Sequence, residues 1–67
     1  MKKVETAHGY DIYELSKEEC KKHWYEYPCF AVFCEGENYD TVGLDESTFG
    51  TIDEAREWCQ EYDRTYY

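Results

Sequence analysis

Apolar and polar positions alternate with helical spacing most clearly in one stretch, Phe49 to Tyr62 (FGTIDEAREWCQEY). Ile52, Ala55, Trp58 with Cys59, and Tyr62 recur every three to four residues and form one apolar stripe. Arg56, Glu57, Gln60 and Glu61 fill the opposite face. Thr51 precedes the stripe as an N-cap, and Glu54 stands three residues later, the spacing of a capping box. Asp53 and Glu54 lie in the first turn, where the helix dipole favours negative charge. The pattern predicts a helix whose stripe needs an apolar partner from the rest of the chain.

A second helix start reads Leu15-Ser16-Lys17-Glu18-Glu19-Cys20. Ser16 is the expected N-cap, Glu19 its capping-box partner, and Leu15 with Cys20 a hydrophobic staple. Cys20 and Trp24 stand at i, i+4 with His23 beside them. Pro28 disfavours helix at Tyr27, so the helix is expected to end near Tyr25 or Glu26.

Period-two patterning marks the strands. KVETA and YDIYEL flank His8-Gly9, a two-residue hairpin connection in which Gly accepts positive φ. The turn predicts that Ala7 faces Tyr10, Val4 faces Tyr13 and Lys3 faces Glu14. Cys29 to Glu35 (CFAVFCE) is an unbroken apolar run of the kind found in a central strand buried on both faces. Residues 36–38 read as a turn, Tyr39 to Val42 as a partner strand, and 43–50 as loop, with Ser47 to Phe49 able to extend briefly. Arg64 to Tyr67 are expected to fray. The order β-β-α-β-β-α predicts a single α+β domain over residues 1–67: a small two-layer fold with a mostly antiparallel sheet and two short helices on one face.

Charge sharpens this picture. The net charge is −9, unevenly spread. Residues 1–25 carry five basic and five acidic groups, whereas residues 26–63 carry eleven acidic groups against Arg56 alone. Phosphate repels such a field and there is no basic patch, so direct binding of nucleic acid is not expected. The N-terminus MKKVETAHGY has no apolar run after it. Neither a signal peptide nor a membrane span is expected, which points to the cytoplasm and to reduced thiols.

Four sets of residues could carry chemistry. Cys20, His23, Cys29 and Cys34 lie within fifteen residues and are potential zinc ligands, but paired C-x2-C units are missing. Cys29 and Cys34, five apart on a strand, should point to opposite faces. The expectation is therefore no metal and no cofactor. No C-x-x-C pair signals thiol redox work, and the cysteines read as small core hydrophobes. Paired carboxylates without a substrate-sized pocket do not make an acid–base catalyst, so no enzyme is expected. Eight tyrosines, several beside acids (Tyr25-Glu26-Tyr27, Glu37-Asn38-Tyr39-Asp40, Glu61-Tyr62-Asp63), are more than a small core can hold. Tyrosine is enriched at protein interfaces, and acid beside aromatic suits a partner rich in Arg and Lys.

The segment FGTIDEAREWCQEY resembles the ending of many small uncharacterised bacterial and phage proteins, in which an aromatic is followed by T-x-x-E-A-x-x-W and a terminal helix. That resemblance implies the fold and a bacterial or mobile-element origin, and assigns no functional residues. By composition the chain is similar to small acidic phage inhibitors of the anti-CRISPR and DNA-mimic type, which occupy basic channels of host nucleases.

The reading that follows is an acidic, non-enzymatic protein that binds a basic surface of a host protein. Glu35, Glu37, Tyr39 and Asp40 around the second turn, and Glu57 and Glu61 on the outer helix face, are the expected contact residues. A homodimeric accessory domain is the alternative, and a zinc-stabilised mini-domain the third reading. Trp24 and Trp58 are expected to anchor the core.

Overall fold

The computed structural model describes residues 1–39 and 48–65. Four strands form one antiparallel sheet in the order β1-β2-β3-β4. They are β1 (Lys2–Ala7), β2 (Tyr10–Glu14), β3 (Phe30–Cys34) and β4 (Thr48–Phe49). Helix α1 (Lys17–Lys22) lies between β2 and β3, and α2 (Ile52–Glu61) follows β4. The expected α+β class and antiparallel sheet are observed.

The hairpin closes through His8 (φ 55°) and Gly9 (φ 85°), a left-handed pair that matches the strand twist. Ala7 faces Tyr10 as expected. The register then shifts between Lys3 and Glu5, so that Lys3 faces Tyr13 and Lys2 faces Glu14. The expected pairings of Val4 with Tyr13 and Lys3 with Glu14 are thereby corrected by one residue. A bulge of this kind leaves the extra residue out of the ladder, and Val4 is exposed.

The sheet separates two apolar clusters. On one face Tyr10, Ile12 and Val32 pack with Ala55 and Cys59 of α2, flanked by Phe30, Cys34, Phe49 and Trp58. On the other, Ala31 and Phe33 pack with Leu15, Cys20 and Cys29, flanked by Met1, Tyr13 and Tyr25. Alternate residues of β3 serve alternate clusters, as the pleat requires. The α+β architecture stands, but the two helices cover opposite faces and not one. Ile12, Leu15, Cys20 and Cys59 are the largest fully buried side chains.

Both caps form where expected. Ser16 Oγ accepts from the Glu19 N–H at 3.1 Å, and Glu19 Oε1 accepts from the Ser16 N–H at 2.9 Å. The Met1 amino group donates to the other Glu19 carboxylate oxygen. At α2, Thr51 Oγ1 accepts from the Glu54 N–H at 3.2 Å. The return bond of a capping box is replaced there by one from the Thr51 hydroxyl to Glu54 Oε1 at 3.3 Å.

Helix α1 ends earlier than expected. The Tyr25 N–H donates to the Cys20 carbonyl at 2.8 Å, and the Trp24 N–H to the Lys21 carbonyl at 3.4 Å. This is a Schellman motif, with Tyr25 and Cys20 supplying its usual apolar contact. Trp24 occupies its left-handed position at φ 64°. The expected core role of Trp24 is overturned: the side chain is 93% exposed.

The fourth strand is Thr48–Phe49, within the segment expected to extend briefly. Tyr39 is helical instead of starting a strand, and 40–42 lie outside the described residues. The segment expected to fray is held at its start: the Arg64 N–H donates to the His8 carbonyl at 2.9 Å, and Thr65 caps Asp63.

Candidate functional site

The acidic contact residues expected from sequence fall on two elements that end near one another. Glu35 follows β3, and its N–H donates to the Gly9 carbonyl at 2.9 Å. The chain then turns at Gly36 (φ 88°), where the Glu37 N–H returns to the Cys34 carbonyl at 2.9 Å. The turn is pinned from below by Asp11, which is 3% exposed. Its carboxylate accepts from the Thr6 hydroxyl at 2.6 Å and from the Gly36 N–H at 3.2 Å. Lys3 Nζ lies 4.0 Å away.

The C-terminal end of α2 reaches the same His8-Gly9 turn from the other side. Tyr62 caps the helix, and its carbonyl accepts from the Tyr10 hydroxyl at 2.7 Å. Asp63 meets His8 Nδ1 at 3.0 Å, and the Arg64 guanidinium stands 5.9 Å from the Tyr10 ring centroid. Hydrogen bonds from Thr65 hold the Asp63 carboxyl below its ordinary value, with His8 adding to the effect. Glu35 and Glu37 on one side, and Glu61 and Asp63 on the other, thus bracket one end of the sheet.

Glu57 and Glu61 are exposed on the outer face of α2, one turn apart. The nearest cation in sequence, Arg56, is committed elsewhere. Its Nε and Nη2 grip both oxygens of Glu5 at 2.7–3.0 Å, and its Nη1 reaches Asp53 at 3.3 Å. Among the described residues, Glu57 and Glu61 have no ion-pair partner. Neither do Glu35 and Glu37. Tyr39 is 40% exposed and stands edge-on to His23, ring centroids 5.3 Å apart. Asp40 lies outside the described residues.

The cysteines do not converge. Cys20 and Cys29 share the α1 cluster, whereas Cys34 packs on the α2 side, as their strand spacing predicts. Among the described residues no three His, Cys, Asp or Glu side chains are placed to hold a metal ion. Burial pushes the Cys59 thiol up to about 11, and burial beside Cys20 pushes Cys29 up. Buried, protonated thiols of this kind are poor nucleophiles.

Trp24 is the surface residue that sequence reasoning missed. Its i, i+4 relation to Cys20 gave it a place in the core; the missing signal was the absence of glycine where the helix had to stop. No helix among the described residues is long and apolar enough to cross a membrane. The chain matches no family model, no curated protein and no solved structure.

Proposed function

We propose that the chain is an acidic, non-enzymatic binding protein that docks on a basic surface of another protein. The contact surface is the outer face of α2, with Glu57 and Glu61, continued by the turn carrying Glu35 and Glu37. One observation carries this reading. Glu61 stands in the last turn of α2, where the negative end of the helix dipole disfavours a carboxylate, Glu57 stands one turn before it, and the helix has no basic residue in its last turn. They are also like charges at i, i+4. Both effects weaken the folded state, and no salt bridge among the described residues pairs either carboxylate. A partner rich in Arg and Lys reverses the sign of each.

The composition favours a nucleic-acid-handling enzyme of the host as that partner, with the chain acting as a phage or mobile-element inhibitor in the cytoplasm. Affinity capture from bacterial lysate at low and at high salt tests the reading. The expected result is one dominant basic protein, weakened at high salt and lost with Glu57→Lys/Glu61→Lys. Capture that is indifferent to salt and to the charge reversals would overturn it.

A further inference from the structure

Trp24 contributes little to the fold that holds it. It is 93% exposed and sits at φ 64°, in the one position of its Schellman motif where glycine is the usual residue. A bulky side chain is an outlier there. Strain and exposure coincide on a residue type that dominates interface hot spots.

The residues that follow Trp24 in the chain line a hollow. A cleft of about 320 Å³ is lined by Tyr25, Glu26, Tyr27, Pro28, Thr48 and Phe49. An engineered cavity of about 150 Å³ suffices to bind benzene, so this cleft has room for an indole. Tyr25, Tyr27 and Phe49 are the aromatic residues of its walls, and its far side is β4, an edge strand of the sheet. Tyr27 is itself 51% exposed.

The charges around this patch differ from those of the rest of the chain. Residues 16–34 carry Lys17, Lys21 and Lys22 against Glu18, Glu19 and Glu26, a neutral balance of mixed sign. Much of the acidic excess lies on α2, which covers the face of the sheet opposite α1; Phe49, on the far wall of the cleft, borders that face. Two copies that met through α2 would stack like charges. Two that met through the Trp24 patch would place lysines near Glu26 without net repulsion.

We propose that the Trp24 patch is a self-complementary interface, in which each copy of the chain inserts Trp24 into the Tyr25–Pro28/Phe49 cleft of a second copy about a two-fold axis. Trp24 directly precedes the cleft residues Tyr25–Pro28 in the chain, the proximity of knob and hole that an isologous contact requires. Two Trp side chains at about 150–250 Å² each, and two half-exposed Tyr side chains at about half that, supply roughly 450–750 Å². Specific interfaces begin near about 1,200 Å², so the charged rim must contribute and the dimer is weak. This inference is independent of the partner reading above.

Light scattering and tryptophan emission of the whole chain, from about 10 to 500 µM, test it. They are run at low salt and at about 300 mM, where net repulsion is screened. The expected result is a monomer–dimer equilibrium that persists or tightens with salt, with emission moving to the blue as the dimer forms. Salt should weaken the α2 contact instead, so the two readings fail separately. Trp24→Gly suits the left-handed backbone and should fold, yet dimerise at least tenfold more weakly. Gly50→Gln tests the hole: Gly50 lines the cleft, a Cβ there meets no atom within 4 Å in the monomer, and the longer side chain should weaken the dimer similarly. A monomer at every concentration, or a dimer indifferent to both substitutions, would overturn the proposal. An emission shift produced only by anionic lipid vesicles would overturn it in favour of a membrane surface.

Discussion

Arg56 on α2 grips the carboxylate of Glu5 on β1 through two of its nitrogens, at 2.7–3.0 Å, across fifty-one residues of sequence. Glu5 faces Ile12 in the register and so stands on the α2 side of the sheet. The pair joins the first strand to the last helix at the margin of the buried cluster. Hydrogen bonding from Arg56 holds the Glu5 carboxyl below its ordinary value of 4.5.

Acid should therefore unfold this protein in a defined direction. Glu5, Glu19 and Asp63 all have lowered folded-state values. The chief causes are hydrogen bonds from Arg56, from the Met1 amino group and from Thr65 respectively. A depressed carboxyl contributes stability above its unfolded value and loses it as pH falls through the folded one. Melting temperature measured from about pH 7 to pH 3 should fall below about pH 4.5. Arg56→Ala should lower the plateau and make the acid limb shallower; an unchanged limb would show that the Glu5 contact does not persist in solution.

Charge reversal on α2 should separate stability from binding. Glu61→Lys relieves the dipole and the like-charge pair and should stabilise the fold by about 0.3–1 kcal/mol, and Glu57→Lys, which relieves the pair, by about 0.2–0.5 kcal/mol. The same changes should abolish capture of the basic partner. Chemical denaturation checks the first effect, and variants less stable than the parent would contradict the electrostatic account of α2.

Thiol accessibility should follow the two-sided core. Cys20, Cys29 and Cys59 are buried, and only Cys34 is half-buried. A native titration with an aromatic disulfide reagent should read one fast thiol, and four in denaturant. Cys34→Ser should remove the fast one. Several fast thiols in the parent would mean that one of the clusters opens readily.

Core truncations should rank by burial. Ile12 is fully buried between β2 neighbours and α2, and Ile12→Ala should cost about 2–5 kcal/mol. Trp58 is half-buried, with its ring 5.1 Å from Tyr10, 6.0 Å from Phe49 and 5.0 Å from Tyr62. Trp58→Ala should cost about 3 kcal/mol, the low end for an aromatic. Trp24→Ala should leave the dilute monomer's melting nearly unchanged. A large loss there would place Trp24 in the core after all.

The features legible in the sequence were those fixed by neighbours in the chain. Ser16 with Glu19, and His8 with Gly9, specify their cap and turn through bonds spanning a few residues. The run Cys29 to Glu35 reads as a strand apolar on both sides. That same uniformity hid which face each helix would take, because Val32 and Phe33 look equally suited to cover. The Val4 bulge carries no glycine and breaks no alternation strongly enough to be read. Helical spacing from Cys20 points Trp24 at the core, and no glycine marks the stop that turns it outward. Among the proposed contact residues, exposure of Glu57 and Glu61 is readable from the stripe opposite them. The commitment of Arg56 to Glu5 was not, since nothing local pairs positions so far apart.

The sheet acts as a party wall. Each side of β3 has its own tenant helix, and the two share backbone but no side-chain contents. Openings of this molecule should accordingly be lopsided. Helix α1, six residues long, can lift away while Val32 and Ile12 stay covered by α2. Amide exchange should reach Cys20 and Lys21 well before Ala55 and Cys59. A chain that has shed α1 would still present its acidic helix, rigid and in register, on the far side of the wall.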